Sequence, residues 1–321
     1  MEWIVPMEPI LVPKVPEGNE YIHQVKWDGI RGLCYLEDGR IRVFTKKGKE
    51  RTEFYPELLE LPSLVNAKSA CFDGELIILN EELRPSFQLS LIRERVNDPR
   101  KVEYYAKRYP VMYIVFDLLS LNGKLLTEKP LKKRSELLRE HLKNGISIAI
   151  TDDFTNGDEL YSLMKKKQWE GVVSKNINSL YLPGKNHKAW FKTKLSRRML
   201  AIVAGLILKD GNPNSLILAL WGNEGLSYIG RASVGLTQEH LKLLKENIPR
   251  LKSDKNPSHL EDKTVNSKLA RELKNAVWFI PSLTVWVSFL EWTSDGGLRH
   301  PKILGFTSLP PEEATGKEYV E

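Results

Sequence analysis

Lys26-Trp27-Asp28-Gly29-Ile30-Arg31-Gly32 is the stretch from which the rest of the chain can be read. Residues 21–26 before it have the composition of a strand, Asp28-Gly29 is a turn pair, and residues 32–37 read as a second strand. Asp38-Gly39 then turns the chain into a third strand over 40–45, closing a hairpin. Taken alone, an Asp-Gly pair after a lysine is most often only a hairpin. Here Lys26 stands where a strand ends and a loop opens, with Arg31 five residues on. A lysine so placed acts as a nucleophile only as the free amine, and its reference pKa of ~10.4 leaves well under ~1% neutral at pH 7. It must therefore be held near other positive charge, either a metal ion or Lys/Arg neighbours. At ordinary residue frequencies Lys-x-Asp-Gly-x-Arg arises by chance on the order of 10⁻⁵ per position, so the pattern is informative.

Four further clusters follow in order. Cys71-Phe72-Asp73-Gly74-Glu75-Leu76 lies in a strand-like run over 69–79, where alternation sets Asp73 and Glu75 on one face. Val115-Phe116-Asp117 sits in a second apolar strand over 111–119. Glu170-Gly171-Val172-Val173-Ser174-Lys175 is a strand that starts with an acid and ends with a base. A carboxylate amid so many cations is a candidate ligand for a hard metal such as Mg²⁺. Trp190-Phe191-Lys192-Thr193-Lys194 alternates, so both lysines face one way, as a phosphate clamp requires. Helices are expected over 131–142 and 158–167. No Gly-rich loop joins a strand to a helix, and the six histidines show no zinc-hydrolase spacing.

The charge is concentrated. Of a net +7, residues 165–198 hold ten Lys/Arg against the single acid Glu170, while the flanking regions are near neutral. A lysine run such as 165–167 is usually a solvated face, but ten cations in one segment point to a polyanion, either nucleotide phosphates, a nucleic-acid backbone or both, with Lys185, Lys188 and Arg197 as the candidates for the nucleic-acid part. The pattern changes near 196–198. Strand-forming runs follow at 199–208, 216–221, 226–230 and 283–292, with Asp210-Gly211-Asn212-Pro213 and Gly222-Asn223-Glu224-Gly225 as turns. A helix over 237–247, capped by Thr237, interrupts them. That pattern suggests a small oligonucleotide-binding β-barrel over 199–321. The 321 residues, 41% hydrophobic and 28% charged, fit two globular domains. Cys34 and Cys71 cannot build a disulfide framework or a four-cysteine zinc site. No apolar run approaches the ~20 residues of a membrane helix, and Glu2 and Glu8 do not suit a signal peptide, so a cytoplasmic location is expected.

Taken in order, these five clusters resemble the ATP-dependent DNA ligases of the covalent nucleotidyltransferase superfamily. They are most like the ligase module of bacterial end-joining ligases and its stand-alone relatives. Trp278-Phe279-Ile280-Pro281, Glu291-Trp292-Thr293-Ser294-Asp295-Gly296 and Leu298-Arg299-His300-Pro301 resemble that family's oligonucleotide-binding domain. The resemblance implies an α+β fold, with an adenylation domain of antiparallel sheets and helices over 1–198 and the barrel over 199–321. It implies that Lys26 becomes lysyl-AMP and that Arg31 contacts the nucleotide and the DNA 5′-phosphate. Glu75 would contact the ribose and share a metal with Glu170, Phe116 would stack on adenine, and Lys192 and Lys194 would bind the α-phosphate. ATP, with Mg²⁺ or Mn²⁺, is the implied cofactor set. Nicked or broken double-stranded DNA is the implied partner of a monomer, and a Ku-like end-binding protein comes into view as a second.

Two departures stand out. Where the family usually has Ser-Arg-Asn-Gly the chain has Thr45-Lys46-Lys47-Gly48, and a lysine cannot make a bidentate arginine contact. Where the family has Arg-x-Asp-Lys, which helps position the ATP pyrophosphate, the chain has Thr307-Ser308-Leu309-Pro310. An RNA ligase or GTP-using capping enzyme of the same superfamily, and a non-catalytic nucleic-acid-binding module, are the competing expectations.

Overall fold

The computed structural model describes residues 3–222, 225–254, 273, 276–290, 292–293 and 296–320. Asn223 and Glu224 of one expected turn, and Glu291, Ser294 and Asp295 of the resembling block, lie outside them. The chain divides into two compact units, 1–195 and 196–321.

The first unit mixes two sheets with helices. A four-stranded sheet runs in the order Glu8–Leu11, Asn186–Lys194, Gly171–Asn176, Tyr21–Val25. A second sheet orders Arg40–Thr45, Ile30–Glu37, Ser69–Ile77, Met112–Leu121 and Lys124–Leu125, with Ile148–Ile150 added in parallel on Met112–Leu121. The expected hairpin is present, Glu37 facing Arg40 across a turn in which Asp38 and Gly39 both have positive φ. Residues 26–29 thus carry the chain from one sheet to the other. Gly29 is required there, because a Cβ would lie 2.3 Å from the Leu76 carbonyl oxygen.

Leu131–His141 and Gly157–Lys167 form the expected helices. Asn156 caps the second by accepting from the Glu159 amide, and Gln168 closes it in the left-handed conformation (φ 55°). Three described α-helices escape the sequence reading, one of them the single turn Leu61–Leu64. Phe87–Glu94 has eight residues and Val102–Arg108 seven, too few for a sustained helical period to stand out.

The second unit is organised by one long strand, Arg197–Lys209, apolar and buried from Met199 through Ile207. Its first residues pair with both Thr284–Phe289 and Glu318–Val320. Its second half pairs with Asn212–Gly222 and Ala276–Trp278, and Gly225–Ala232 and Lys302–Thr307 complete the sheet. The expected run over 283–292 is a strand only over Thr284–Phe289, because the Leu290 amide turns to the Arg299 carbonyl. The strands at 276–278 and 318–320, three residues each, are too short to stand out in the sequence, and Gly305 interrupts the run at 302–307. Thr237 caps the helix in a reciprocal box with His240. That helix runs on past Pro249 to Leu251, where Ile248 and Leu251 pack on the core.

Candidate active site

The ladder between Tyr21–Val25 and Gly171–Asn176 ends at a hydrogen bond from the Lys26 amide to the Gly171 carbonyl, 2.9 Å. Gly171 takes φ +143° there, and a Cβ would lie 2.1 Å from the Thr193 carbonyl oxygen. This close packing of three strands brings their functional side chains together. The Lys26 ammonium donates to Glu170 Oε2 at 2.5 Å, and Lys194 Nζ sits 2.6 Å from Glu170 Oε1. One carboxylate therefore bridges two lysines, each member about one-fifth exposed or less.

The electrostatics follow. Burial alone would lower the Lys26 pKa, but the Glu170 carboxylate outweighs it and holds the lysine above its ordinary value. Burial pushes the Glu170 carboxyl up, and Lys26 and Lys194 together bring it below the usual range. Lys192, two residues before Lys194 in the same strand, is lowered by burial and by the positive charge of Lys26 and Lys194.

Arg31 enters from the other sheet. Its guanidinium grips Asp73 in a two-point contact (2.5 and 2.6 Å) and donates to the Met7 carbonyl at 3.2 Å. Tyr181 donates to the same Asp73 at 2.6 Å and accepts from the Met7 amide. Asp73 is fully buried, so the expectation of two acids sharing a face applies in the structure to one structural acid and one site acid. Glu75 is the latter. Burial raises its carboxyl to about 8, with Arg31 and Lys26 acting against the rise. Among the described residues the Glu75 carboxylate makes no hydrogen bond or ion pair, its backbone being paired within the sheet.

Phe116 is half-buried, with Arg31 4.6 Å and Lys175 4.3 Å from its ring centre. Lys175 escapes the sequence reading as a site residue, being legible there only as the end of a strand. It is buried between Phe116 and Trp190, its ammonium 4.2 Å from the Trp190 ring centre, and donates to the Phe116 carbonyl at 3.2 Å. Burial pushes it down to about 8. Asp117 is paired with Arg134 through two bonds (2.7 and 2.8 Å), both side chains fully buried. No local pattern links those two residues, 17 apart.

Lys26, Arg31, Glu75, Phe116, Glu170, Lys192 and Lys194 thus meet in the first unit. Lys185 and Lys188 are exposed. Arg197 belongs to the second unit and is ion-paired with Glu318 at 3.1 Å. Lys46 is ion-paired with Glu8. Among the described residues no three His, Cys, Asp or Glu side chains cluster as a closed metal site. Glu75 and Glu170, two carboxylates close enough to perturb one another, suit a hard divalent cation that takes its remaining ligands from water and phosphate. Three cations and two carboxylates around one lysine suit chemistry on a phosphate.

Comparison with known proteins agrees. The model of the ATP dependent DNA ligase domain matches residues 12–194, and that of the ATP dependent DNA ligase C terminal region matches 209–308. The chain is 30% identical over 295 residues to the multifunctional non-homologous end joining protein LigD of Mycolicibacterium smegmatis, covering 90% of this chain and 36% of that protein. It is 27% identical over 261 residues to DNA ligase C1 of the same organism, covering 78% of this chain and 74% of that protein. The ligase domain of Mycobacterium tuberculosis LigD superposes with a TM-score of 0.51 at 25% identity, over 97% of this chain and 98% of that one. The chain thus spans about a third of the LigD proteins it matches, and its architecture is that of an adenylation domain with an oligonucleotide-binding fold. With both family models covering most of its length, the chain belongs to the ATP-dependent DNA ligases.

Proposed function

We propose that this chain seals 5′-phosphate/3′-hydroxyl breaks in double-stranded DNA by way of a lysyl-AMP. The first unit acts as the adenylation domain and the second as the oligonucleotide-binding domain. The observation that carries the reading is the bridged Lys26–Glu170–Lys194 group at a strand end. The Lys26 amine attacks the α-phosphorus of ATP. An N–P bond forms and pyrophosphate leaves. A DNA 5′-phosphate oxygen then displaces Lys26 from that phosphorus, and a neighbouring 3′-hydroxyl displaces AMP from the DNA. Splitting the reaction turns a poor leaving group into a good one.

Lys192 and Lys194 neutralise the α-phosphate, Arg31 orients the nucleotide and the 5′-phosphate, Phe116 stacks on adenine and Glu75 binds the ribose. Mg²⁺ or Mn²⁺ held at Glu75 and Glu170 would screen the attacking and leaving groups from one another. Before attack, Lys26 must give up the proton that Glu170 holds on it. Nicked or broken duplex is the substrate, Lys185 and Lys188 add backbone contacts, and a Ku-like end-binding protein is the candidate recruiter of a monomeric, cytoplasmic enzyme. Among the described residues no helix is long and apolar enough to cross a membrane.

The test is incubation with α-labelled ATP and Mg²⁺, followed by mapping of the label. Label on Lys26, lost in Lys26→Ala and in Lys26→Arg, is the expected result, since arginine stays protonated. Label retained in either variant refutes the assignment. Label from GTP alone selects a capping-type enzyme, and no label selects a binding module.

A further inference from the structure

Backbone pairing fixes Lys26 only as far as its own amide. The ladder between these two segments stops at the Lys26–Gly171 bond. Yet the two groups that must stay together, the Lys26 ammonium and the Glu170 carboxylate, belong to residues at and past that end. The residue that follows Lys26 and the residue that precedes Glu170 are both tryptophans. Their rings pack at 5.4 Å between centres, tilted by 48°. Each is anchored separately. The Trp27 indole donates to Thr151 Oγ1 at 3.2 Å, and Thr151 is tied by its own amide to the Val115 carbonyl of the second sheet. The Trp169 amide donates to the Met164 carbonyl at the end of Gly157–Lys167, and Lys167 places its ammonium 5.2 Å from the Trp169 ring centre. The pair therefore joins the strand end, the helix end and the second sheet around the bridged lysine.

Resting on the reading of the chain as a lysine-adenylating enzyme, we propose that Trp27 and Trp169 are positioning residues whose packed indoles hold Lys26 and Glu170 in register for nucleotide transfer. This role requires neither indole to touch the nucleotide. Their loss displaces the reacting group without emptying the nucleotide pocket, and displacements of about an ångström at a reacting centre cost up to ~100-fold in rate.

The experiment is single-turnover labelling of the full chain by α-labelled ATP with Mg²⁺ at a series of ATP concentrations. Trp27→Leu and Trp169→Leu are each expected to lower the maximal rate by roughly tenfold or more, with half-saturating ATP moved by less than about threefold. Phenylalanine at either position, which keeps an aromatic ring, is expected to restore most of the rate. The double leucine variant is expected to be no slower than the slower single, because both substitutions break the same ring pair. Thr151→Val, which removes only the acceptor for Trp27, gives a milder loss of the same kind and covers the case in which a leucine variant fails to fold. Folded leucine variants that label at the wild-type rate overturn the proposal. So do multiplicative losses in the double variant, phenylalanine variants no faster than leucine, or a loss confined to half-saturating ATP. Absence of label in the wild type is a different failure, which overturns the underlying reading and the clasp with it.

Discussion

The two units bury different things. Among the described residues, the first unit buries Arg51, Asp73, Arg93, Asp117, Arg134 and Lys175, and the second buries no charged side chain, only Ser215 and Thr284 among polar ones. The core of the second is aliphatic and aromatic, from Met199 and Val203 to Val287 and Ile303. A buried charge is costly unless it is paired, so a unit that keeps six of them does so where they hold other groups in place. Arg31 is held by Asp73, Phe116 by Lys175, and the strand carrying Phe116 by Asp117 with Arg134. Among the described residues the second unit has no such scaffold.

The contrast breaks first, if it is wrong, in stability. Arg134→Met leaves Asp117 buried without its partner, and urea unfolding is expected to show a loss of about 3–5 kcal/mol. Ile217→Val in the core of the second unit should cost only about 0.5–1.5 kcal/mol. Equal losses would mean that the buried pair scaffolds nothing.

A second test concerns what the second unit lacks. The buried Thr284 hydroxyl donates to the Leu309 carbonyl at 2.6 Å, with the Thr307 carbonyl 3.2 Å away, and no cation stands among residues 307–310. A missing phosphate ligand in a transition state typically costs ~2–4 kcal/mol, or roughly 30- to 1,000-fold. Self-adenylation should be slower by that factor than in a relative bearing Arg-x-Asp-Lys, while sealing of pre-adenylated nicks stays near normal. Measured separately under single-turnover conditions, equal recharging rates would point to Lys302 or Lys317 as a compensating cation.

A third test uses pH. The folded-state pKa of Lys175, about 8, lies below the ordinary lysine value. The unfolded chain therefore holds the extra proton between about 8 and ~10.4, and stability contributed through Lys175 rises with pH across that window. The penalty is fully present below it. Lys175→Met should remove that part of the slope, read as the difference between wild-type and variant denaturation midpoints. An unchanged slope would place the lysine nearer water than its burial indicates.

The smallest effects are expected from surface charge. Removing Lys185 and Lys188 should reduce the slope of log affinity for nicked duplex against log salt by up to ~0.9 for each phosphate that is no longer neutralised. Arg197→Ala should change it less, because Glu318 already holds that guanidinium. An unchanged slope in the double lysine variant would make that edge of the first unit a solvated face.

Much of the fold was legible locally. Asp38-Gly39 announces a hairpin because two consecutive positive φ values suit those residues, and Thr237 announces a helix because its hydroxyl satisfies an otherwise free amide. Phe87–Glu94 was not legible, since eight residues are too few to tell a helical period from an apolar strand run. Of the site, the residue types and their order were legible. The meaning of Asp73 was not, because alternation pairs it with Glu75 whereas Arg31 and Tyr181 claim it.

By itself the sequence determined the family and the candidate residues, through five ordered motifs whose joint occurrence chance does not explain, and through basic charge gathered in residues 165–198. Only the tertiary structure decided how they are used. Glu170 bridges Lys26, 144 residues away, and Lys194; Lys175 lies dry between two rings; Arg197 is neutralised by Glu318, 121 residues on. Local preference is set by neighbours within a turn or a strand, whereas the charge state and reach of a side chain depend on burial and on partners that only sheet pairing brings within a few ångströms.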